Sequence, residues 1–135
     1  MTKTILVATL IAMLAASPVL ARDALNQNKH ITESLVAGKA ADTIRNTCSS
    51  ISAKMFTALS KLSDLEDYAR AQGYTEAEVK AFLKDKSEKA RIKALANAYL
   101  KAAGAVEGDE ESYCTAGRNE IAKDTLAGSL LRSWK

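Results

Sequence analysis

Histidine, proline and long apolar runs are almost missing from this chain, and each shortage removes a class of function. A single histidine cannot provide clustered imidazole ligation within one chain, and two well-separated cysteines do not make a zinc site. The sequence has no glycine-rich phosphate loop, no G-x-S-x-G elbow and no C-x-x-C pair. Paired carboxylates occur, but any charged helical surface supplies them. The residues therefore single out no catalytic group, no metal ligand and no cofactor-binding residue, and the chain reads as a non-enzyme. The formal charge is only +3 and basic residues do not interleave with aromatics, so nucleic acid is not the expected partner. Aromatics are scarce, with two Phe, four Tyr and one Trp, which leaves Leu, Ile, Val, Ala and Met to build the core. One proline, abundant Ala, Lys, Glu and Leu, and no run of β-branched residues predict an all-α fold.

The first 21 residues read as an export signal. Lys3 supplies the positive start, Ile5 to Ala16 is apolar or small apart from Thr9, and Pro18 ends the run. Val19-Leu20-Ala21 then fits cleavage after Ala21. The apolar stretch is roughly a dozen residues, short of the ~20 that cross a bilayer. Cleavage leaves one domain of about 114 residues, 22–135, with no transmembrane segment and a periplasmic destination. Loss of Lys3 lowers the formal charge to about +2.

Five helices are expected in the mature chain. His30 to Asn46 carries two apolar stripes, Ile31 with Leu35 and Val36 with Ala40 and Ile44, separated by Gly38. Such a helix is either covered on two faces or bent at the glycine, and two-sided cover in the middle of a bundle is the preferred reading. A second helix is predicted from the Thr47-Cys48-Ser49-Ser50 cap to about Gln72. Ile51, Met55, Ala58, Leu59, Leu62, Leu65 and Ala69 share an arc of roughly 120° that should face the core. Gly73 ends it, and Thr75 with Glu78 makes a capping box for a short third helix, with Tyr74 stapled on Val79. Asp85 opens a fourth helix that runs to Ala103, carrying Ile92, Leu95, Ala96, Tyr99 and Leu100 on one face.

Gly104 to Arg118 then turns acidic at Glu107, Asp109, Glu110 and Glu111, where a fifth helix with Gly117 at a close approach begins. The acids lack the spacing of a calcium loop. Leu126, Leu130, Leu131 and Trp134 should dock a last turn on the body. In an oxidising compartment Cys48 and Cys114 are expected to pair, closing a loop of about 67 residues. A redox-active pair and a nucleophilic thiol remain the alternatives. His30, distant from both cysteines in sequence, reads as a surface or cap residue.

Cys48, Tyr68-Ala69, Gly73-Tyr74, Gly104-Ala105-Val106, Gly108-Asp109, Cys114, Gly117-Arg118 and Leu130-Leu131-Arg132 together resemble an uncharacterised family, a domain of unknown function, of small secreted alphaproteobacterial proteins. The resemblance implies export, helices and a shared cysteine pair. Some relatives carry a label tying them to a respiratory NADH dehydrogenase subunit, which implies at most an accessory protein, since no iron–sulfur, flavin or nucleotide ligands are visible here. The leading expectation is an exported helical protein that binds a periplasmic or membrane-associated protein. Carriage of a small apolar ligand and service as a periplasmic stress holdase are the alternatives.

Overall fold

A computed structural model describes residues 22–134. The expected signal segment, the expected cleavage after Ala21, and Lys135 lie outside the described residues. Six α-helices follow a short 3₁₀ turn, Leu25–Gln27: α1 Lys29–Thr47, α2 Met55–Ala71, α3 Glu76–Lys84, α4 Lys86–Ala102, α5 Glu110–Ala122 and α6 Leu126–Ser129. Two three-residue strands, β1 Ile51–Ala53 and β2 Leu131–Ser133, pair antiparallel with Ile51 opposite Ser133. The fold is the expected all-α bundle closed by a disulfide; the expected last turn is α6, and the strand pair is what the periodicity did not foretell.

Helix α1 is the axis of the molecule. Asn28 caps it by accepting the Ile31 N–H at 3.0 Å, and it runs unbroken through Gly38 to Thr47. Its two-stripe pattern is realised as contact with two apolar clusters. Ala37, Ala40, Ala41 and Ile44 enter the main core beside Leu100, Ile51 and Leu131, while Ile31 joins Ala69 and Tyr74 in a smaller one. An interior glycine costs a helix about 1 kcal/mol relative to alanine, and here α1 carries that cost without a break.

The loop signals hold. Gly73 adopts φ +93°, the left-handed conformation that stops α2. Thr75 and Glu78 form both halves of the capping box, and Tyr74 is buried in the cluster that Val79 joins. At the next junction Asp85 caps α4, accepting the Glu88 N–H at 2.9 Å. Asp109 caps α5, and Glu110 accepts from both the N–H and the hydroxyl of Ser49, at 3.0 and 2.8 Å. Those two bonds hold the Glu110 carboxyl below its ordinary pKa and fasten the start of α5 to the end of α1. The acidic run is thus used in capping and pairing.

The second helix needs correction at its start. The cap residues do not open a helix: Ile51–Ala53 is extended and pairs with the C-terminal strand, and α2 begins only at Met55. The backbone groups of this segment find their partners in β2, with Lys54 N–H donating to the Leu130 carbonyl at 2.8 Å and Trp134 N–H to that of Ser50 at 3.0 Å. Once Ile51 points into the core from a strand, its phase is uncoupled from that of the helix that follows.

Cys48 and Cys114 are joined by a disulfide, their Cα atoms 5.1 Å apart, and both are buried. The bond links the C-cap of α1 to the first half of α5. A Cβ on Gly117, one turn further on, would fall 2.5 Å from Ile51 Cδ1 and 2.7 Å from Ile44 Cγ2, so the absence of a side chain is what lets α5 lie against that corner. By the chain-entropy relation a loop of this length is worth roughly 4 kcal/mol. The double substitution Cys48→Ser with Cys114→Ser should lower the unfolding free energy by about that amount in urea titration. A loss below about 1 kcal/mol would show that packing alone closes the loop.

Candidate functional site

The arc of α2 that the periodicity assigned to the core is divided lengthwise by the structure. Ala58, Leu65 and Ala69 turn inward, Ala58 against the main cluster and the other two against the smaller one. Met55, Leu59 and Leu62 turn outward and are exposed, Met55 by 56 % and Leu59 by 59 %. Phe56, which the stripe did not include, is the most exposed of them at 90 %. The reason lies at the ends of the helix. Its start is set by the β1–β2 pairing and its finish by Tyr68 and Ala69 in the smaller cluster, so its rotation is fixed without reference to its middle.

Between those two anchors α2 stands away from α1, and the gap is a groove of about 560 Å³. The helices run antiparallel, with His30 packed on Tyr68 at one end (ring centroids 4.3 Å apart) and Arg45, Ala53 and Met55 at the other. The lining is mostly apolar, with Gly38 and Ala41 on the α1 wall, Ala58, Leu62 and Leu65 on the α2 wall, and Leu126 and Leu130 contributed by the C-terminal segment. Charges sit on both walls. On α1, Asp42 accepts from Lys39 at 3.5 Å and from Arg45 at 2.7 Å. On α2, Lys61 and Asp64 face the same space, and neither makes an ion pair or hydrogen bond among the described residues. A smaller recess of about 360 Å³ lies on the other side of Leu35 and Lys39, bounded by Phe82, Leu83 and Ile92. His30, expected at a helix entry, is exposed in the first turn of α1 and lines the groove.

A second cluster joins α4, α5 and α6. The carboxylate of Glu120, the one buried charged side chain among the described residues, accepts from the Tyr99 and Thr125 hydroxyls. The Thr125 N–H also donates to the Glu120 carbonyl at 3.2 Å. Gly128 packs so closely on this turn that a Cβ there would lie 2.0 Å from the same carbonyl oxygen. No cavity opens onto these groups among the pockets described, and their geometry is that of a structural clasp. Burial, reinforced by the Glu120 carboxylate, raises the pKa of Tyr99 above its ordinary value. The protonated phenol is therefore favoured in the folded chain. Its contribution to stability is fully present below the unfolded value of about 10 and is lost as pH rises through the higher folded value. Chemical denaturation across the alkaline range should show stability falling above about pH 10, with a shallower fall in Tyr99→Phe. Superimposable slopes for the two proteins would remove Tyr99 from that account.

Of the residues singled out in the sequence, the structure brings Cys48 and Cys114 together and leaves His30 remote from both in the fold, against Tyr68. Among the described residues no three His, Cys, Asp or Glu side chains are grouped to hold a metal ion, and no helix is long and apolar enough to cross a membrane. Phe56 and Lys61 were missed because sequence periodicity reports which residues share a face, not which of two neighbouring faces a helix buries.

Comparison with curated proteins and with solved structures yields no match. A family model does match, over residues 23–132, which is nearly all of the described chain. The chain belongs to that family, DUF5333, a family of unknown function.

Proposed function

We propose that this is an exported, non-enzymatic binding protein that docks a protein partner on the outward ridge of α2. One observation carries the reading: Phe56, 90 % exposed, stands beside Leu59 and Met55 on a single helical surface. Burying one such side chain is worth about 1.5–3 kcal/mol, and contiguous exposed apolar surface on a folded chain marks interaction sites. An aromatic anchor flanked by aliphatics is also the composition of an interface hot spot. Helix α2 is fixed at both ends, so the ridge is presented preformed and binding needs little ordering of the backbone. Export is supported by the N-terminal pattern of Lys3, an apolar run and Val19-Leu20-Ala21, and by a buried disulfide suited to an oxidising compartment.

A second reading, carriage of a small apolar ligand, draws on the groove beneath the same helix. Its volume falls within the ~300–1,000 Å³ typical of small-molecule sites.

Two measurements test the leading proposal. The exported protein should begin at Arg22 and gain two mass units on reduction, as read by intact mass. A full-length precursor in the periplasmic fraction would contradict export. A photo-crosslinker placed at Phe56 should give a discrete protein adduct in living cells that Leu59→Asp reduces at least about tenfold. Equal adducts from Phe56 and from Ala98, an exposed position on α4, would mean that the ridge has no partner.

A further inference from the structure

We propose that the groove between α1 and α2 binds one long-chain fatty acid, with its carboxylate between Lys39 and Lys61 and its alkyl chain along Gly38, Ala41 and Ala58. This inference rests on the carrier reading above and can be tested apart from the ridge: Met55 borders both, but Phe56 and Leu59 do not line the groove.

Gly38 is the first support. A Cβ built there meets nothing within 4 Å, whereas one on Gly117 or Gly128 would collide with a neighbour. Packing explains the latter two. It does not explain a glycine in the middle of α1, at a position where alanine would make a better helix. What Gly38 does is line the groove with bare backbone. Together with Ala41 and Ala58 it leaves a slot where longer side chains would fill the space between the two helices.

Charge and size identify the occupant. The walls carry Lys39, Arg45 and Lys61 against Asp42 and Asp64, an excess of one positive charge. Asp42 is shared between Lys39 and Arg45, and Lys61 has no anionic partner among the described residues. The antiparallel run of the helices sets Lys61 and Lys39 on facing walls near the middle of the groove, since His30 meets Tyr68 at one end and Arg45 lies with Met55 at the other. A ligand with one negative charge complements that pair, and charge-assisted hydrogen bonds to an ammonium group are the stronger kind. At about 560 Å³ the groove falls within the ~300–1,000 Å³ of sites that take one small-molecule ligand, a size that admits one alkyl chain. From the lysines the apolar lining continues to Leu126 and Leu130, which offers the tail an apolar wall.

The test uses the full mature protein, stripped of bound lipid, titrated with hexadecanoate and separately with hexadecanol. Stoichiometry is read by native mass spectrometry and affinity by displacement of a fluorescent probe. Hexadecanoate should bind one to one. Gly38→Leu should weaken it at least about tenfold while the thermal midpoint holds or rises, because leucine favours the helix. Lys61→Gln, at an exposed position, should weaken hexadecanoate about five- to tenfold and leave hexadecanol unchanged. The pair Phe56→Ser with Leu59→Ser should bind hexadecanoate like the parent while losing the crosslinked partner, so the ridge and the groove can fail separately. Absence of one-to-one binding by the parent, or equal binding by Gly38→Leu, would overturn the proposal. An unchanged Lys61→Gln would overturn the placement of the carboxylate. A dimer that Gly38→Leu dissolves, or a protein adduct that it abolishes without any hexadecanoate binding, would assign the groove to a second copy or to a protein segment instead.

Discussion

The bond between Cys48 and Cys114 is the constraint on which the rest of the architecture depends. It sits where α1 ends, where the chain turns into β1, and where α5 passes. Around it the packing is close: Gly117 admits Ile44 and Ile51 where a methyl group would not fit, and Glu110 holds the Ser49 backbone on the solvent side. Everything between the two sulfurs, including α2, α3 and α4, belongs to one closed loop. That loop is fastened to α1 by α4 and by the smaller cluster around Ile31, Ala69 and Tyr74. Helix α2 has no comparable seam along its middle.

This division explains why a small protein can afford an incompletely packed helix. The main core, Ile44, Leu100 and Leu131 with the alanines of α1, is completed by α1, α4, α5, α6 and the strand pair. Helix α2 adds to it chiefly through Ala58. Its apolar side chains are therefore available for intermolecular use without the fold depending on them. The same conclusion follows from the electrostatics. Most of the ion pairs along the surface, such as Glu76 with Lys80 at 2.8 Å, join neighbours within one helix, where screening leaves them weak, and the long-range pair of Arg22 with Glu78 touches α3, so they do not position α2 either. What positions it are two backbone bonds at its entry and one aromatic cluster at its exit.

Much of this was legible in the sequence because it is local. The stop at Gly73, the Thr75–Glu78 box and the close approach at Gly117 each depend on a few neighbouring residues, and each appears where expected. The cysteine pairing was legible from the count of two and from the expectation of an oxidising compartment. Two things were not. The strand at Ile51–Ala53 exists only because Leu131–Ser133, some 80 residues away, supplies its hydrogen-bond partners, and no local signal announces such a long-range ladder. The outward turn of Met55, Leu59 and Leu62 was invisible for a related reason. A hydrophobic arc of 120° is wide enough to be shared between a core and something else, and nothing within the helix says where the core stops.

The glycines show how that missing information can be recovered once coordinates exist. Helical propensity alone marks Gly38, Gly117 and Gly128 equally as weak points. The space around each separates them. At Gly128 the backbone of Glu120 occupies the place of a side chain, and at Gly117 two isoleucines do. Those two residues are required by the fold, and their cost is offset by the contacts they allow. Around Gly38 there is open volume, so no intramolecular contact offsets its cost. A helix weakened at a point where the fold gains nothing directs attention to the space the side chain would have filled. In this molecule that space is bounded by Lys61, which has no ion-pair partner among the described residues, on one helix and by a shared carboxylate on the other. The feature least explained by stability thus coincides with a groove of about 560 Å³, and that coincidence is a stronger guide to function than either observation alone.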